Sequence, residues 1–206
     1  MAFHLVDHPV IRERLTRIRS VTSGTSEFRE ALHDVSRLLC YEVTRDLETT
    51  TIPVTTPLCE TTGHRLARPV VLVPILRAGM GLLQGFTDIL GEASVGTIGL
   101  YRDEETLAPH RYHFRMPSAI DEAEVILIDP MLATGGSAAD AIDELKAAGA
   151  RRLRFACLIA APEGVENFSA RHPDVPVYAA ALDQCLDERA YIVPGLGDAG
   201  DRYFGT

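Results

Sequence analysis

Val125-Ile126-Leu127-Ile128-Asp129-Pro130-Met131-Leu132-Ala133-Thr134-Gly135-Gly136-Ser137 is the stretch that decides how this chain folds. The apolar run from Val125 to Ile128 fits a parallel strand buried on both faces. The strand ends at an acid, Asp129. A loop with Thr134, Gly135 and Gly136 follows, and Ser137 opens a helix with Ala141, Ile142, Leu145 and Ala148 on one face and Gly149 as its stop. Strand, glycine loop and helix start, in that order, make an anion cradle. Glycines let backbone N–H groups approach an anion closely, and the helix start adds free N–H groups and the positive end of its dipole. Thr134 and Ser137 add hydroxyl donors. The pattern GxxxxGK[ST] is absent and no Lys follows the glycines, so the cradle suits a monophosphate rather than a nucleoside triphosphate. Asp129, at the strand tip, is placed to hold sugar hydroxyls directly or through Mg²⁺.

Outward from this unit the chain alternates strands and helices. Val70 to Ile75 reads as a strand broken by Arg77 to Gly81, then a helix from Leu82 to Leu90. Val95 to Leu100, Leu153 to Ala160 and Val177 to Leu182 read as further strands. Alternation of this kind predicts an α/β fold, a parallel sheet flanked by helices, with ligands at the carboxyl ends of the strands. The loops after 75, after 128 and near 160 are therefore where chemistry belongs. Residues 1 to about 50 differ. Val10 to Arg19 reads as a short helix, and Ser26 is placed to cap a longer one on which Phe28, Leu32, Val35, Leu39, Val43 and Leu47 recur at steps of three or four. Thr49 to Pro57 reads as an extended or strand-like connection.

The 206 residues suffice for one domain, with 46% hydrophobic and 24% charged residues as in ordinary globular chains. No apolar run approaches the roughly 20 residues of a membrane helix, and Met1 to Val10 has no basic start or apolar core of a secretory signal. Cys40, Cys59, Cys157 and Cys185 fit neither CxxC pairs nor a disulfide framework; Cys40 and Cys157 read as buried thiols, and a cytoplasmic location is expected. A net charge of −9 argues against a nucleic-acid-binding surface, though a few arginines and helix starts can still hold a small anion.

Three more segments carry chemistry. In Pro74-Ile75-Leu76-Arg77-Ala78-Gly79-Met80, an arginine on a tight loop can meet a diphosphate bidentately. From Tyr101 and Arg102 to His113 apolar periodicity fails, which predicts a flexible arm or hairpin. His110 and His113 have no acid or Cys partner at convincing metal-ligand spacing. Tyr191-Ile192-Val193-Pro194-Gly195-Leu196-Gly197-Asp198-Ala199-Gly200 specifies a fixed, irregular backbone where a tail would otherwise fray. Such a backbone can offer N–H and C=O groups to a planar ligand.

Together these runs resemble the type I phosphoribosyltransferases, enzymes that use 5-phosphoribosyl-1-diphosphate (PRPP). The usual signature has two adjacent acids before the glycine loop; Asp129-Pro130 is a departure shared by the uracil branch. Tyr101-Arg102 with Glu104-Glu105-Thr106-Leu107 is close to that branch's flap, although 108–115 is more basic, and 191–205 resembles its uracil-recognition loop. Thr25 to Arg29, Ala160 to Gly164 and His172 to Asp174 extend the likeness over nearly the whole chain. The resemblance implies one phosphoribosyltransferase domain over 1–206: a hood part at 1–68, an α/β core at 69–182 and a base-binding segment at 183–206. It implies transfer of the phosphoribosyl group to uracil, giving UMP. PRPP would be held by Arg77, Arg102, Asp129, Pro130, Met131, Leu132, Ala133, Thr134, Gly135, Gly136, Ser137 and Asp198. Uracil would be held by Ile192, Gly197, Asp198 and Ala199. Arg77, Arg102 and Asp198 are the catalytic candidates. Mg²⁺ would arrive on PRPP, with no direct protein ligand. A homo-oligomer, dimer or tetramer, and GTP as effector are also implied, with no nucleic acid or membrane partner. The rivals are a phosphoribosyltransferase for another base and a PRPP-sensing regulator that binds RNA.

Overall fold

The computed structural model describes residues 2–102 and 109–206. Its elements in chain order are β1 (Phe3–Leu5), α1 (Pro9–Arg19), α2 (Thr25–Val43), β2 (Thr49–Thr55), β3 (Glu60–Leu66), β4 (Val70–Leu76), α3 (Met80–Ile89), β5 (Ser94–Val95), β6 (Thr97–Arg102) and β7 (Pro109–Arg115). There follow β8 (Glu124–Ile128), β9 (Met131–Leu132), α4 (Gly136–Ala147), β10 (Arg152–Ala160), α5 (Pro162–Arg171), β11 (Val177–Leu182), β12 (Cys185–Leu186), β13 (Ile192–Val193) and α6 (Ala199–Phe204).

The main sheet runs β1-β11-β10-β8-β4-β6-β7, with β5 beside β4 and β9 beside β10. Pairing is parallel except at the edge, where β7 runs antiparallel to β6. Side chains of a strand alternate between faces, and the core divides accordingly. Leu72, Ile126, Ile128, Ala156 and Leu158 pack towards α1, α2 and α3. Val71, Val73, Val125, Leu127, Phe155 and Cys157 pack towards α4 and α5. Each fully buried Ile, Leu or Phe contributes about 1.5–3 kcal/mol by leaving water, which is why β8 and β10 tolerate no polar residue over Val125–Ile128 and Phe155–Ala160. Helix α2 buries Phe28, Leu32, Val35, Leu39 and Val43 as their spacing requires, while Leu47 lies past its end and packs at the margin of the same cluster.

Two sequence expectations need correcting, and two others find their place. Ser26 does not cap α2: Gly24 holds that position without a side-chain bond, and Thr25 already begins the helix. The strand-like reading of Thr49 to Pro57 holds, and β2 pairs along its length with β3 in an antiparallel hairpin. The N-terminus does not belong only to a hood: β1 extends the core sheet alongside β11. The arm or hairpin expected from Tyr101 to His113 falls on a hairpin, β6–β7, with a register shift between Gly99 and Leu100; its tip, residues 103–108, lies outside the described residues. His113 pairs across that ladder with the Thr97 hydroxyl at 2.7 Å.

At the amino ends of the strands, charge is used structurally. Glu124 is buried with Arg154 (3.7 Å), Arg68 (3.8 Å) and Arg152 (3.9 Å) around it. The carboxyl ends are different: there the strands open onto a cavity.

Candidate active site

The carboxyl end of β8 delivers Asp129, and the carboxyl end of β4 delivers Arg77. The two turns touch. A Cβ on Gly79 would lie 2.6 Å from the Ile128 carbonyl oxygen and 2.7 Å from the Ile75 backbone, so only glycine lets the β4 turn close onto β8. The Leu76–Arg77 peptide is cis, as is Val193–Pro194. Arg77 is exposed, with its guanidinium 5.5 Å from the centre of the Phe204 ring on α6.

Beyond Asp129 the chain makes β9 and then turns through Gly135, which has φ of 81° and caps α4. Helix α4 has no acid in its first turn, so the positive end of its dipole is not neutralised by its own sequence. Met131, Ala133, Thr134, Gly136 and Ser137 are partly exposed around this cradle. Pro130 and Leu132 are buried instead. The Pro130 carbonyl accepts from Leu158 and Ile159 N–H at 3.0 Å, and the Leu132 carbonyl from Ala161 N–H at 2.9 Å. These two residues anchor the loop to β10.

Helix α5 braces the cradle from behind. Asn167 Nδ2 donates to the Thr134 carbonyl at 2.7 Å. A Cβ on Gly164 would lie 2.2 Å from the Ala133 carbonyl oxygen and 2.6 Å from that of Leu132. These are backbone atoms and cannot swing aside. Gly164→Ala is therefore expected to cost about 1–3 kcal/mol of stability and to weaken PRPP binding. Urea unfolding and PRPP titration check it; unchanged PRPP affinity would show that the cradle does not depend on this approach.

The C-terminal segment closes the site from above. A cavity of about 250 Å³ is lined by Ala78, Asp129, Met131 and Ala133 from the core, and by residues 190–192 and 197–200 from the tail. Asp129 thus shares one cavity with Ile192, Gly197, Asp198 and Ala199. Asp198 Oδ1 accepts from Asp201 N–H at 2.8 Å and so caps α6. Burial pushes the Asp129 carboxyl up to about 8. It also pushes up the thiol of Cys157, with the charge of Asp129 adding to the effect. Arg102 ends β6, and its side chain lies outside the described residues. A larger cavity of about 910 Å³ lies at the β1 edge between Phe3, Glu42 and Asp174, away from the strands' carboxyl ends.

Sequence reading missed the residues that hold the tail in place: Arg19, Asp183 and Arg202. Asp183 had a signal, since it follows the last apolar residue of β11 just as Asp129 follows β8. Glu163, inside the run Ala160 to Gly164, also holds the tail. It accepts from Leu186 N–H at 3.0 Å, tying α5 to the β12–β13 ribbon that carries Ile192.

The solved structure of the AQ2163 protein from Aquifex aeolicus superposes with a TM-score of 0.93 at 32% identity, covering 99% of this chain and 98% of that one. Adenine phosphoribosyl transferase from Trypanosoma brucei, solved with AMP, pyrophosphate and ribose-5-phosphate, shares the fold at a TM-score of 0.61 and 15% identity over 95% of this chain and 88% of that one. Uracil phosphoribosyltransferase of Paracoccus denitrificans is 56% identical over 203 residues, 98% of this chain and 96% of the relative. That of Ligilactobacillus salivarius is 52% identical over 205 residues, 99% and 98%. Asp129 at the strand tip and the glycine-rich tail share one cavity, the profile of the uracil phosphoribosyltransferase family matches residues 5–206, and the chain belongs to that family.

Proposed function

We infer that this protein transfers the phosphoribosyl group of PRPP to N1 of uracil, giving UMP and diphosphate, a step of pyrimidine salvage. The observation that carries this reading is the closure of the glycine-rich tail, Ile192 and 197–199, over the cavity that also holds Asp129. In the reaction the bond from the anomeric carbon to the diphosphate breaks, a bond from that carbon to N1 forms, and the N1 proton leaves to solvent. Positive charge develops on the sugar and negative charge on the leaving group.

The roles divide by position. The cradle at 133–137 takes the 5-phosphate through backbone N–H groups and the start of α4. Asp129 takes the ribose hydroxyls. Arg77 and Arg102 neutralise the diphosphate as it departs. The backbone at Ile192, Gly197 and Ala199 reads the base edge. Uracil has an N3–H donor where cytosine has an acceptor, so a rigid main-chain site rejects cytosine by leaving buried groups unpaired. Holding N1 in line with the anomeric carbon is itself a large part of the catalysis. No protein nucleophile is required.

Among the described residues no three of His, Cys, Asp and Glu come together as a metal cage. Two carboxylates, Asp129 and Asp198, do face one cavity. This donor set fits Mg²⁺ brought by the substrate, which would supply charge neutralisation at the diphosphate, with Asp198 orienting its water. The same reading places the enzyme in the cytoplasm, supported by four free cysteines, and no helix among the described residues is long and apolar enough to cross a membrane. It also includes a homo-oligomer. The β2–β3 hairpin supports this, because it is exposed along nearly its whole length and an isolated two-stranded ribbon is marginal alone.

The test is UMP formation from Mg-PRPP and uracil, run beside cytosine and hypoxanthine, with and without GTP, and a binding assay with RNA. UMP from uracil alone is expected. Nucleotide formed only from another base, or RNA bound without turnover, would install one of the rivals instead.

A further inference from the structure

The tail that forms the base side of the cavity has little regular structure of its own. Between β13 and α6 it carries Pro194, Gly195, Leu196, Gly197 and Asp198. Main-chain recognition works only if the right groups face the ligand and the others are occupied elsewhere. The structure shows how the others are occupied. Asp183, immediately after β11, has a side chain only 4% exposed. Its Oδ1 accepts from Arg19 Nη2 at 2.5 Å, and its Oδ2 accepts from Arg19 Nη1 at 2.7 Å and from Gly195 N–H at 2.9 Å. Arg19 Nη1 also donates to the Gly195 carbonyl at 2.8 Å. Both polar groups of Gly195 are thus taken from behind by one ion pair.

The next residue is held the same way. Arg202 Nη1 donates to the Leu196 carbonyl at 3.0 Å, and Nη2 donates to the Ser20 carbonyl at 2.7 Å. The guanidinium lies 4.6 Å from the centre of the Phe28 ring. Gly195 itself permits no side chain: φ is 61° and a Cβ would lie 2.0 Å from the Ile192 carbonyl oxygen. The end of α1, the end of β11 and α6 therefore all converge on residues 195–196, leaving the residues on either side, Ile192 and Gly197 to Ala199, to line the cavity.

We propose that the Arg19–Asp183 ion pair is a positioning device for base recognition, setting which backbone groups of the tail face the pyrimidine. Neither member of the pair lines the cavity. Its effect is confined to the base side, because its bonds run to Gly195 and not to the cradle at 129–137. A half-broken pair leaves a buried carboxylate or a dangling fork beside Gly195, and the tail shifts to satisfy it. Misplacement by about 1 Å suffices to misalign N1.

This inference rests on the reading of uracil as the base, and the experiment separates the two. Steady-state kinetics of the full chain compares wild type with Asp183→Asn and Arg19→Lys. Arg19→Lys keeps the charge but loses the fork, and it carries the test alone if Asp183→Asn does not fold. KM for uracil is expected to rise about tenfold or more in Asp183→Asn and several-fold in Arg19→Lys, with KM for PRPP within about twofold of wild type. The rate with cytosine relative to uracil should rise in both, and Asp183→Glu should restore part of the uracil KM. A uracil KM unmoved in a folded variant overturns the proposal, as does a uracil KM that rises in step with that for PRPP, since that is what general loosening produces. A wild type that makes no UMP overturns the uracil reading itself, and this inference with it.

Discussion

Asp198→Asn is expected to lower kcat for UMP formation by about 10²–10³-fold while leaving the melting temperature of the protein where it was. Asp198 caps a helix in the structure and orients the metal water in the proposed reaction, and the substitution separates the two. Structurally Asp198 is the N-cap of α6, with Oδ1 accepting from Asp201 N–H at 2.8 Å and backbone angles of φ −83° and ψ 115°. Asn is as good an N-cap as Asp, whereas Ala loses the bond at a cost of about 1 kcal/mol. Asn therefore keeps the tail folded and removes only the charge. That charge faces the cavity together with Asp129, where positive charge develops on the sugar and the ion on the diphosphate is to be oriented. A fall in kcat with an unchanged melting temperature assigns the carboxylate to the reaction. If kcat stays within about twofold, Asp198 is a helix cap and nothing more.

How much of the fold and the site is legible in the sequence depends on how local each feature is. The strands β8, β10 and β11 were legible because burial on both faces demands unbroken apolar runs, and Val125–Ile128, Phe155–Ala160 and Val177–Leu182 have them. The cradle was legible because acid, glycines and helix start are consecutive. The second strand of the hairpin, Glu60-Thr61-Thr62-Gly63-His64-Arg65-Leu66, was not, since it is exposed along nearly all its length and shows no apolar alternation. Nor was β1, three residues long, whose place at the sheet edge is decided by pairing with β11. The cap of α2 was misplaced by two residues because Gly24 starts the helix without a side-chain bond, so Ser26 offered a stronger local signal than the real boundary. The Arg19–Asp183 pair lay beyond reach for a different reason: its members are 164 positions apart, and neither stands in a motif that points to the other. Chemistry held in one loop can be read along the chain. Chemistry held by a contact between chain ends needs the fold.

The second large effect concerns Asp129 and protons. Burial raises its carboxyl from 3.8 to about 8, so between those values the folded chain binds a proton that the unfolded chain has released. Stability then falls as pH rises from about 4 to about 8, with a limiting slope near 1.4 kcal/mol per pH unit. Asp129 opens onto the cavity, and water there screens part of the effect, leaving on the order of 2–5 kcal/mol across the window. Asp129→Asn removes this titration. The substrate-free variant should unfold at a higher urea concentration than wild type at pH 8, and at nearly the same concentration at pH 4. Binding reverses the preference, because ribose hydroxyls donating to Asp129, and the positive charge that accompanies the diphosphate, stabilise the ionised form. Mg-PRPP binding near pH 7 should therefore expel roughly one proton more from wild type than from Asp129→Asn. Calorimetric titrations in two buffers of different ionisation enthalpy measure that difference directly, and PRPP's own phosphate titration cancels between the two proteins. Equal proton release from wild type and variant would place the ionisation of Asp129 outside substrate binding. A wild-type excess near one proton would tie the acid at the tip of β8 to the sugar it is placed to hold, with the enzyme giving up some stability before substrate arrives and recovering it on binding.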